Sequence, residues 1–326
     1  MPQAETGSPR PGSTWWAAGM EGDGGTRMSW GEVPQHVRAR VEDTLGEPVV
    51  TAVSQAGGFS PGLAVRVGLG SGRRVFVKAV GSGVNSVAPR LCRREIAVAG
   101  RLPEGLPVPR LLWSDDDGDW VTLVFEDVEG RTPPLPWRAD TWWRVQEELA
   151  DLADALTPSP IDVEPLADKM FSGWRSLAAE PALADRIDDW SKANLDRLAE
   201  VESRWTAAAA GDTLLHGDLR ADNLILTDAG VVVVDWPHAA LGAPWVDLAL
   251  MVPSVVAQGG PSPAEIMARA RWTPEPEALD AVVAAAAGYF VHAALLPPPP
   301  GIPRLREFQR VKAAPALAWL RERLQA

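Results

Sequence analysis

Cysteine is almost absent from this sequence of 326 residues, in which Cys92 stands alone. A single cysteine excludes an intrachain disulfide and a zinc site built on several cysteines, and it is typical of proteins from a reducing compartment. Lysine is scarce as well, with four residues among the 31 basic ones. A lysine within a motif is therefore more informative here than in an average chain. Positive charge is also in deficit, and the net charge of −12 argues against a protein that wraps nucleic acid.

Long apolar runs are missing too. The most apolar stretch, residues 281–291, is well short of the roughly 20 residues that span a bilayer, and it lies between Asp280 and His292. We interpret it as a buried helix. Residues 1–30 have no basic segment followed by an apolar one, so they do not resemble a signal peptide. Their glycine, proline and serine content predicts a disordered tail over residues 1–34. The single cysteine, together with the lack of a signal-like or membrane-spanning segment, predicts a cytoplasmic protein.

Two regions of different periodicity follow the predicted tail. In residues 35–127, β-rich runs at 49–54, 63–69, 74–80, 110–113 and 120–125 surround one helical segment at 89–102. This order predicts a small α+β lobe with an antiparallel sheet and one helix. Residues 128–326 are mainly helical, with segments at 142–156, 165–180, 182–210, 263–271, 276–296 and 303–325. A hairpin of residues 224–226 and 231–234 interrupts them, so we predict a larger, mainly helical second lobe.

Polar residues flank that hairpin on both sides. His216, Asp218 and Asn223 precede it, and Asp235 follows it directly. Because a tight hairpin brings its outer ends together, we expect Asn223 and Asp235 to be neighbours, with Asp218 one loop away. Carboxylate and amide oxygens are ligands that suit Mg²⁺, and this chain order is the one that phosphoryl transfer uses.

The run from His216 to Asn223, together with residues 233–236 and 241–249, resembles the aminoglycoside phosphotransferase family. That family shares the bilobal protein-kinase-like fold with choline, homoserine and fructosamine kinases. The resemblance covers residues 45–325. It implies an enzyme that uses ATP, or else GTP, and Mg²⁺ to phosphorylate a hydroxyl of a small molecule. It also implies Asp218 as the catalytic base, Asn223 and Asp235 as Mg²⁺ ligands, and His216 and Asp247 as structural supports.

The resemblance assigns a nucleotide-binding role to residues 35–127, and the first lobe supplies matching residues. Lys78 lies on the third predicted strand, where the resemblance implies a cation for the α- and β-phosphates, and Glu95 lies on the predicted helix that would position it. A glycine-containing loop between the first two strands would cover the phosphates, since glycine allows a close backbone approach. Within it, we expect contacts from Gly57, Gly58 and Ser60. At the end of the last strand, the backbone of Glu126 and Val128 would bind the adenine edge.

Two other classes of function stay open at this stage. The first is a nucleotide-binding pseudokinase that acts through a partner, although every expected polar position is occupied by a competent residue. The second is a metal-dependent hydrolase built on His216, Asp218 and Asp235. That interpretation leaves Lys78 and Glu95 without a role, and we rank it last.

The acceptor is suggested only by charge. Residues 140–202 have a balance of −9, which favours a cationic acceptor such as an aminoglycoside, an amino sugar or an amino alcohol. Four tryptophans of this segment are able either to stack on such a ligand or to pack in the core, namely Trp142, Trp143, Trp174 and Trp190. We expect core packing for most of them. We also expect no nucleic-acid or membrane partner, and a monomer or homodimer.

Overall fold

The computed structural model describes residues 27–55, 62–83, 87–167, 170–300 and 302–325. The protein has a mixed α+β fold with two lobes, as the sequence predicts. The first lobe contains β1 (Arg27–Met28), α1 (Gln35–Leu45), β2 (Val49–Ser54), β3 (Gly62–Leu69), β4 (Arg74–Gly81), α2 (Ala88–Ala99), β5 (Leu111–Asp116) and β6 (Trp120–Glu126).

Strands β2 to β6 form an antiparallel sheet in which β4 is central, and β1 pairs in parallel with the start of β3. Side chains of a strand alternate between its two faces. On β4, Val75, Val77 and Ala79 pack on the face that α1 covers. Phe76 packs on the opposite face, together with residues of α2. Lys78 follows the same alternation and therefore projects toward α2.

Two predictions for this lobe need correction. The lobe has a second helix, α1, which the sequence analysis missed because its apolar stripe is only one residue wide at Val37, Val41 and Leu45. The predicted disordered tail is wrong for residues 27–34. These residues form β1 and a 3₁₀ turn at Trp30–Glu32, because β1 gains backbone hydrogen bonds along β3. The rest of the predicted tail, residues 1–26, lies outside the described residues.

The second lobe is mainly helical. Its long helices are α3 (Ala139–Ala155), α9 (Val246–Ala257), α11 (Pro276–Leu295) and α12 (Leu305–Gln325). Its shorter helices are α4 (Gly173–Ala179), α5 (Pro181–Ala184), α6 (Asp189–Ala193), α7 (Leu195–Glu202), α8 (Trp205–Ala208) and α10 (Pro263–Ala268). Its strands are β7 (Thr213–Leu215), β8 (Leu224–Leu226), β9 (Val231–Val233) and β10 (Ala240–Gly242). The predicted hairpin is β8–β9, whereas the β7–β10 pair was missed because its two strands lie far apart in the sequence and no tight turn joins them.

Tertiary contacts account for the helices that differ from prediction. The segment predicted as a helix over 165–180 is helical only from Gly173, because residues 164–166 exchange backbone hydrogen bonds with Leu241. The segment predicted over 182–210 breaks into four short helices, one of which begins where the Asp188 side chain accepts a hydrogen bond from the Ser191 N–H. Helix α9 was missed because, apart from Asp247 and Ser254, it is apolar around its whole circumference and so has no amphipathic period.

Helix α11 is the core of the second lobe. It is long and apolar enough to cross a membrane by length and composition alone, but 61% of its apolar 18-residue stretch is buried inside the lobe. Residues 281–287 are nearly inaccessible, and the helix packs against α4, α7, α8 and α12. The buried-helix interpretation of this stretch is therefore confirmed.

Candidate active site

The loop from His216 to Asn223 is held from both sides by hydrogen bonds. The carboxylate of Asp247, in the first turn of α9, accepts from the backbone N–H of His216 at 2.7 Å and of Gly217 at 2.9 Å. The His216 ring donates from Nε2 to the Val234 carbonyl at 3.0 Å and accepts at Nδ1 from the Asp218 N–H at 3.2 Å. His216 thus ties the loop to the end of β9, one residue before Asp235.

Asn223 and Asp235 are neighbours, as the hairpin geometry predicts. The Val234 N–H donates to the Asn223 carbonyl at 3.0 Å. The side-chain amide of Asn223 donates from Nδ2 to the Asp218 carbonyl at 2.9 Å, which leaves its Oδ1 for another partner. Asp235 is the one described residue other than glycine with a positive φ, at 71°. This strained backbone turns its carboxylate out of the hairpin and toward the first lobe.

Lys78 connects the two lobes electrostatically. Its Nζ lies 2.7 Å and 2.9 Å from the two carboxylate oxygens of Glu95, and 2.7 Å from Oδ1 of Asp235. Burial disfavours the ammonium, but Asp235 and Glu95 together outweigh burial and raise the pKa of Lys78. Burial alone would raise the pKa of Asp235, whereas Lys78 holds that pKa well below its usual range. Lys78 and Asp235 therefore stay charged at neutral pH, whereas burial, together with Asp235, raises the pKa of Glu95 against the opposing effect of Lys78.

These residues surround one cavity of about 450 Å³ between the lobes. The cavity is lined by predicted site residues of both lobes, namely Lys78, Glu95, Glu126, Val128, Asn223 and Asp235. Its volume lies in the range of ordinary ligand sites. The predicted residues Gly57, Gly58 and Ser60 lie outside the described residues, although Gln55 and Leu63 on either side of that loop line the cavity. Asp218 is not part of this lining and lies one loop turn away.

After the end of β6, the carbonyl of Val128 is hydrogen-bonded and its N–H is available to a ligand. The carbonyl of Val128 accepts a hydrogen bond from Arg66 at 2.7 Å. Within the described ranges, no group accepts from the Val128 N–H. The intervening Asp127 pairs with Arg66 at 2.9 Å and with Arg74 at 3.0 Å, which fixes the course of the chain at this edge of the cavity.

Two cations of the site, Arg27 and Arg220, were not predicted from the sequence. Arg27 of β1 lines the cavity, and burial lowers its pKa against the opposing effect of Asp235. Arg220 lies with one guanidinium nitrogen 3.7 Å from Oδ2 of Asp218. Arg27 was hidden within the predicted tail. Arg220 stands two residues after Asp218 in the quoted motif, and this position was the signal that could have found it.

The four tryptophans of the acidic segment do not form a ligand cage. Trp142 and Trp174 are fully buried in the core of the second lobe, which confirms the core-packing interpretation for both. The Trp143 ring lies 4.0 Å from the guanidinium of Arg269, and the Trp190 ring lies 4.9 Å from that of Arg321.

Comparison with known proteins agrees with this geometry. The family model described as the phosphotransferase enzyme family matches residues 55–282. A curated relative, the aminoglycoside 3'-phosphotransferase of Streptomyces fradiae, is 33% identical over an alignment 140 residues long, which covers 37% of this chain and 47% of that protein. The chain thus matches about half the length of this curated relative.

Solved structures share the fold at low sequence identity. The choline kinase LicA from Streptococcus pneumoniae has a TM-score of 0.57 and 14% identity, and the match covers 88% of this chain and all of that one. A thermostable mutant of aminoglycoside phosphotransferase APH(4)-Ia, solved with ADP and hygromycin B, has a TM-score of 0.55 and 16% identity, with 89% and 98% covered. At this identity the likeness shows a common fold. From the family match over most of its length, the chain belongs to the phosphotransferase enzyme family.

Proposed function

We propose that this protein is an ATP-dependent phosphotransferase that transfers the γ-phosphoryl group to a hydroxyl of a small molecule. The observation that carries the proposal is the placement of the Lys78 ammonium between Glu95 and Asp235, in a cavity that Asn223 also lines. In this proposal the first lobe, up to residue 127, binds the nucleotide. Residues 128–326 supply the catalytic loop and the acceptor site.

Nucleotide binding uses groups of both lobes. The free N–H of Val128 and the backbone of Glu126 offer hydrogen bonds to a purine edge, and this backbone recognition suits ATP or GTP. Lys78 binds the α- and β-phosphates while Glu95 keeps its ammonium in place. Because Lys78 is already held by two carboxylates, it needs little reorganisation when the phosphates arrive.

The donor set at the hairpin fits Mg²⁺. The carboxylate of Asp235 and Oδ1 of Asn223 are hard oxygen ligands on adjacent strand ends, and Mg²⁺ commonly binds one or two such groups together with substrate phosphates. Within the described ranges no cluster of three or more acidic, histidine or cysteine side chains is suited to bind a metal alone. An Mg²⁺ site in which substrate phosphates supply the remaining ligands agrees with this small number of protein ligands. When bound, Mg²⁺ would neutralise charge on the phosphates.

Asp218 acts on the acceptor. Its carboxylate is about one third exposed, while its backbone is fixed by His216 and Asn223. The acceptor oxygen attacks the γ-phosphorus, the bond between that phosphorus and the β–γ bridging oxygen breaks, and ADP leaves. The acceptor proton passes to Asp218. Most of the rate then comes from positioning and charge stabilisation.

The test compares two asparagine variants. Asp218→Asn removes the proton acceptor with almost no change in shape, and Asp228→Asn makes the same change at an exposed position in the β8–β9 turn. In a coupled ADP-release assay over amino sugars, aminoglycosides, amino alcohols, sugars and sugar acids, we expect D218N to lower kcat by about 10²- to 10⁴-fold. We expect D228N to match the wild type, and Mg·ATP affinity by calorimetry to stay within about twofold in both variants.

The same assays separate the alternatives. Wild-type protein that binds Mg·ATP but turns over no acceptor would favour the nucleotide-binding pseudokinase. A D218N variant with near-wild-type kcat would refute the role of Asp218. The charge of residues 140–202 favours a cationic acceptor, but the groups that lie around Asp218 also decide which acceptor binds.

A further inference from the structure

Lys312 of helix α12 has a nearly buried ammonium beside the catalytic loop. The residue is 4% exposed, and its Nζ lies 3.8 Å from the ring centre of Phe308 and 5.8 Å from that of Phe290. In the part of the chain that the structure describes, no carboxylate or carbonyl is in hydrogen-bond or ion-pair contact with this ammonium. Burying three N–H donors without an acceptor is costly. Such a group points to an anionic ligand.

A second cation shares the same aromatic ring. The guanidinium carbon of Arg220 lies 5.3 Å from the ring centre of Phe308, and Arg220 is 9% exposed. Its nitrogens lie 3.7 Å from Asp218 and 3.0 Å from Asp222. Burial and then Arg220 lower the pKa of Lys312 to about 7, while Asp218 and Asp222 act in the opposite direction. Two cations thus lie close together within reach of the proposed catalytic base.

Several carboxylates of the acidic segment are engaged away from the catalytic loop. Arg271 lies 2.5 Å from Glu147 and 2.8 Å from Asp151, and it also contacts Asp154. Glu202 accepts hydrogen bonds from backbone N–H groups of α4. Within the described residues, no carboxylate of 140–202 forms a hydrogen bond or ion pair with the catalytic loop. The net charge of this segment therefore does not describe the surface around Asp218.

We propose that the acceptor carries a carboxylate or phosphate group near the hydroxyl that is phosphorylated, and that Lys312 and Arg220 bind this anion beside Phe308. This inference rests on the proposed function for the role of Asp218. A bound anion would accept hydrogen bonds from the Lys312 ammonium and reduce the repulsion between the two cations. A polycationic acceptor would add to that repulsion.

Lys312→Met tests the proposal, with Arg310→Met as its matched control. Methionine occupies a similar volume and removes an unpartnered charge, so K312M should fold at least as stably as the wild type. Arg310 is an exposed cation on the same helix. ADP release is measured for glucose, glucosamine and glucuronate, and for glycerol, 2-amino-1,3-propanediol and glycerate. Each set presents a neutral, a cationic and an anionic member.

We expect the anionic member of a set to have the highest kcat/KM. K312M should raise its KM by about ten- to a hundredfold, the range of a lost charge-assisted hydrogen bond. The KM values for ATP and for neutral acceptors should not change, and R310M should behave as the wild type. A preference for the amines that K312M leaves intact would overturn the proposal. A K312M variant that raises only the KM for ATP would instead assign the ammonium to the nucleotide phosphates.

A second measurement does not depend on finding the acceptor. With saturating Mg·ADP present, inorganic sulfate should raise the melting temperature of the wild type and of R310M more than that of K312M. Equal shifts in all three proteins would refute the anion site even if the protein is a kinase. Failure of the proposed function is seen separately, as absence of Mg·ATP binding by the wild type in calorimetry.

Discussion

Replacing Lys78 with methionine would leave Glu95 and Asp235 facing each other without the charge that now lies between them. In the structure the ammonium lies 2.7 Å from an oxygen of each carboxylate, and the Lys78 side chain is 18% exposed. Removing one partner of a buried ion pair costs about 3–5 kcal/mol. Because the Asp235 side chain is 27% exposed, we expect about 3 kcal/mol at pH 7.5.

The loss of stability in K78M should depend on pH. In the wild type, Lys78 holds the pKa of Asp235 low, so the pair stabilises the fold above the pKa of an unfolded aspartate and is lost in acid. In K78M the two carboxylates repel, and their pKa values in the folded state rise above the unfolded values. Folded K78M then binds more protons than the unfolded chain. Its stability deficit should therefore be largest at pH 7.5 and smaller at pH 5.

Urea unfolding followed by circular dichroism at both pH values measures the effect. The control is Lys192→Met, which removes a half-exposed lysine that lies 3.6 Å from Asp185 and should cost less than about 1 kcal/mol. The double variant K78M/E95Q should recover part of the loss, because only one uncompensated carboxylate remains. A deficit in K78M that is the same at pH 5 and pH 7.5, or that E95Q does not reduce, would refute the ion-triad argument.

Three further predictions concern the loop, the thiol and the acceptor. Gly217→Ala should lower the free energy of unfolding by about 1–2 kcal/mol and should also lower kcat, because Gly217 has a φ of 78° and a Cβ there would lie 2.5 Å from the His238 carbonyl oxygen. Chemical unfolding and steady-state kinetics measure both effects, and a variant with wild-type stability and kcat would contradict the prediction. Cys92 should react slowly with Ellman's reagent at pH 8 and quickly in urea, since burial raises the pKa of its thiol to about 12; fast labelling of the folded protein would contradict this. If Lys312 binds an anionic acceptor, the KM for that acceptor should rise in the wild type as the pH increases through 7, because Lys312 has a pKa of about 7 and loses its charge there. The same KM should not change with pH in K312M, and parallel pH profiles of the two proteins would count against this role.

Much of the fold could be predicted because local periodicity agrees with the final structure. Strands β2, β3 and β4 and the β8–β9 hairpin begin within one residue of their predicted positions. Lys78 lies on the central strand and Glu95 on α2, as the spacing of the first lobe indicates. The proximity of Asn223 and Asp235 follows from hairpin geometry alone, because the outer ends of paired strands must meet.

Other elements depend on contacts that no local window contains. Residues 164–166 are extended because they bond to Leu241, and β1 exists because β3 offers it partners. Helix α9 has no amphipathic stripe because it is surrounded by the core. In each case a partner distant in the sequence supplied the hydrogen bonds or the apolar surface that decided the conformation.

The sequence by itself determined the two-lobed α+β architecture, the order of the catalytic loop and hairpin, and the polar residues that meet there. These follow from alternation, turn chemistry and spacing, which act between near neighbours. Only the tertiary structure decided which charges face the site. It pairs Arg271 with three carboxylates of the acidic segment and brings Lys312, 94 residues after Asp218 in the chain, close to the catalytic loop with no carboxylate or carbonyl partner among the described residues. Net charge is a sum over the chain, whereas electrostatic recognition depends on the few groups that folding leaves close to the ligand.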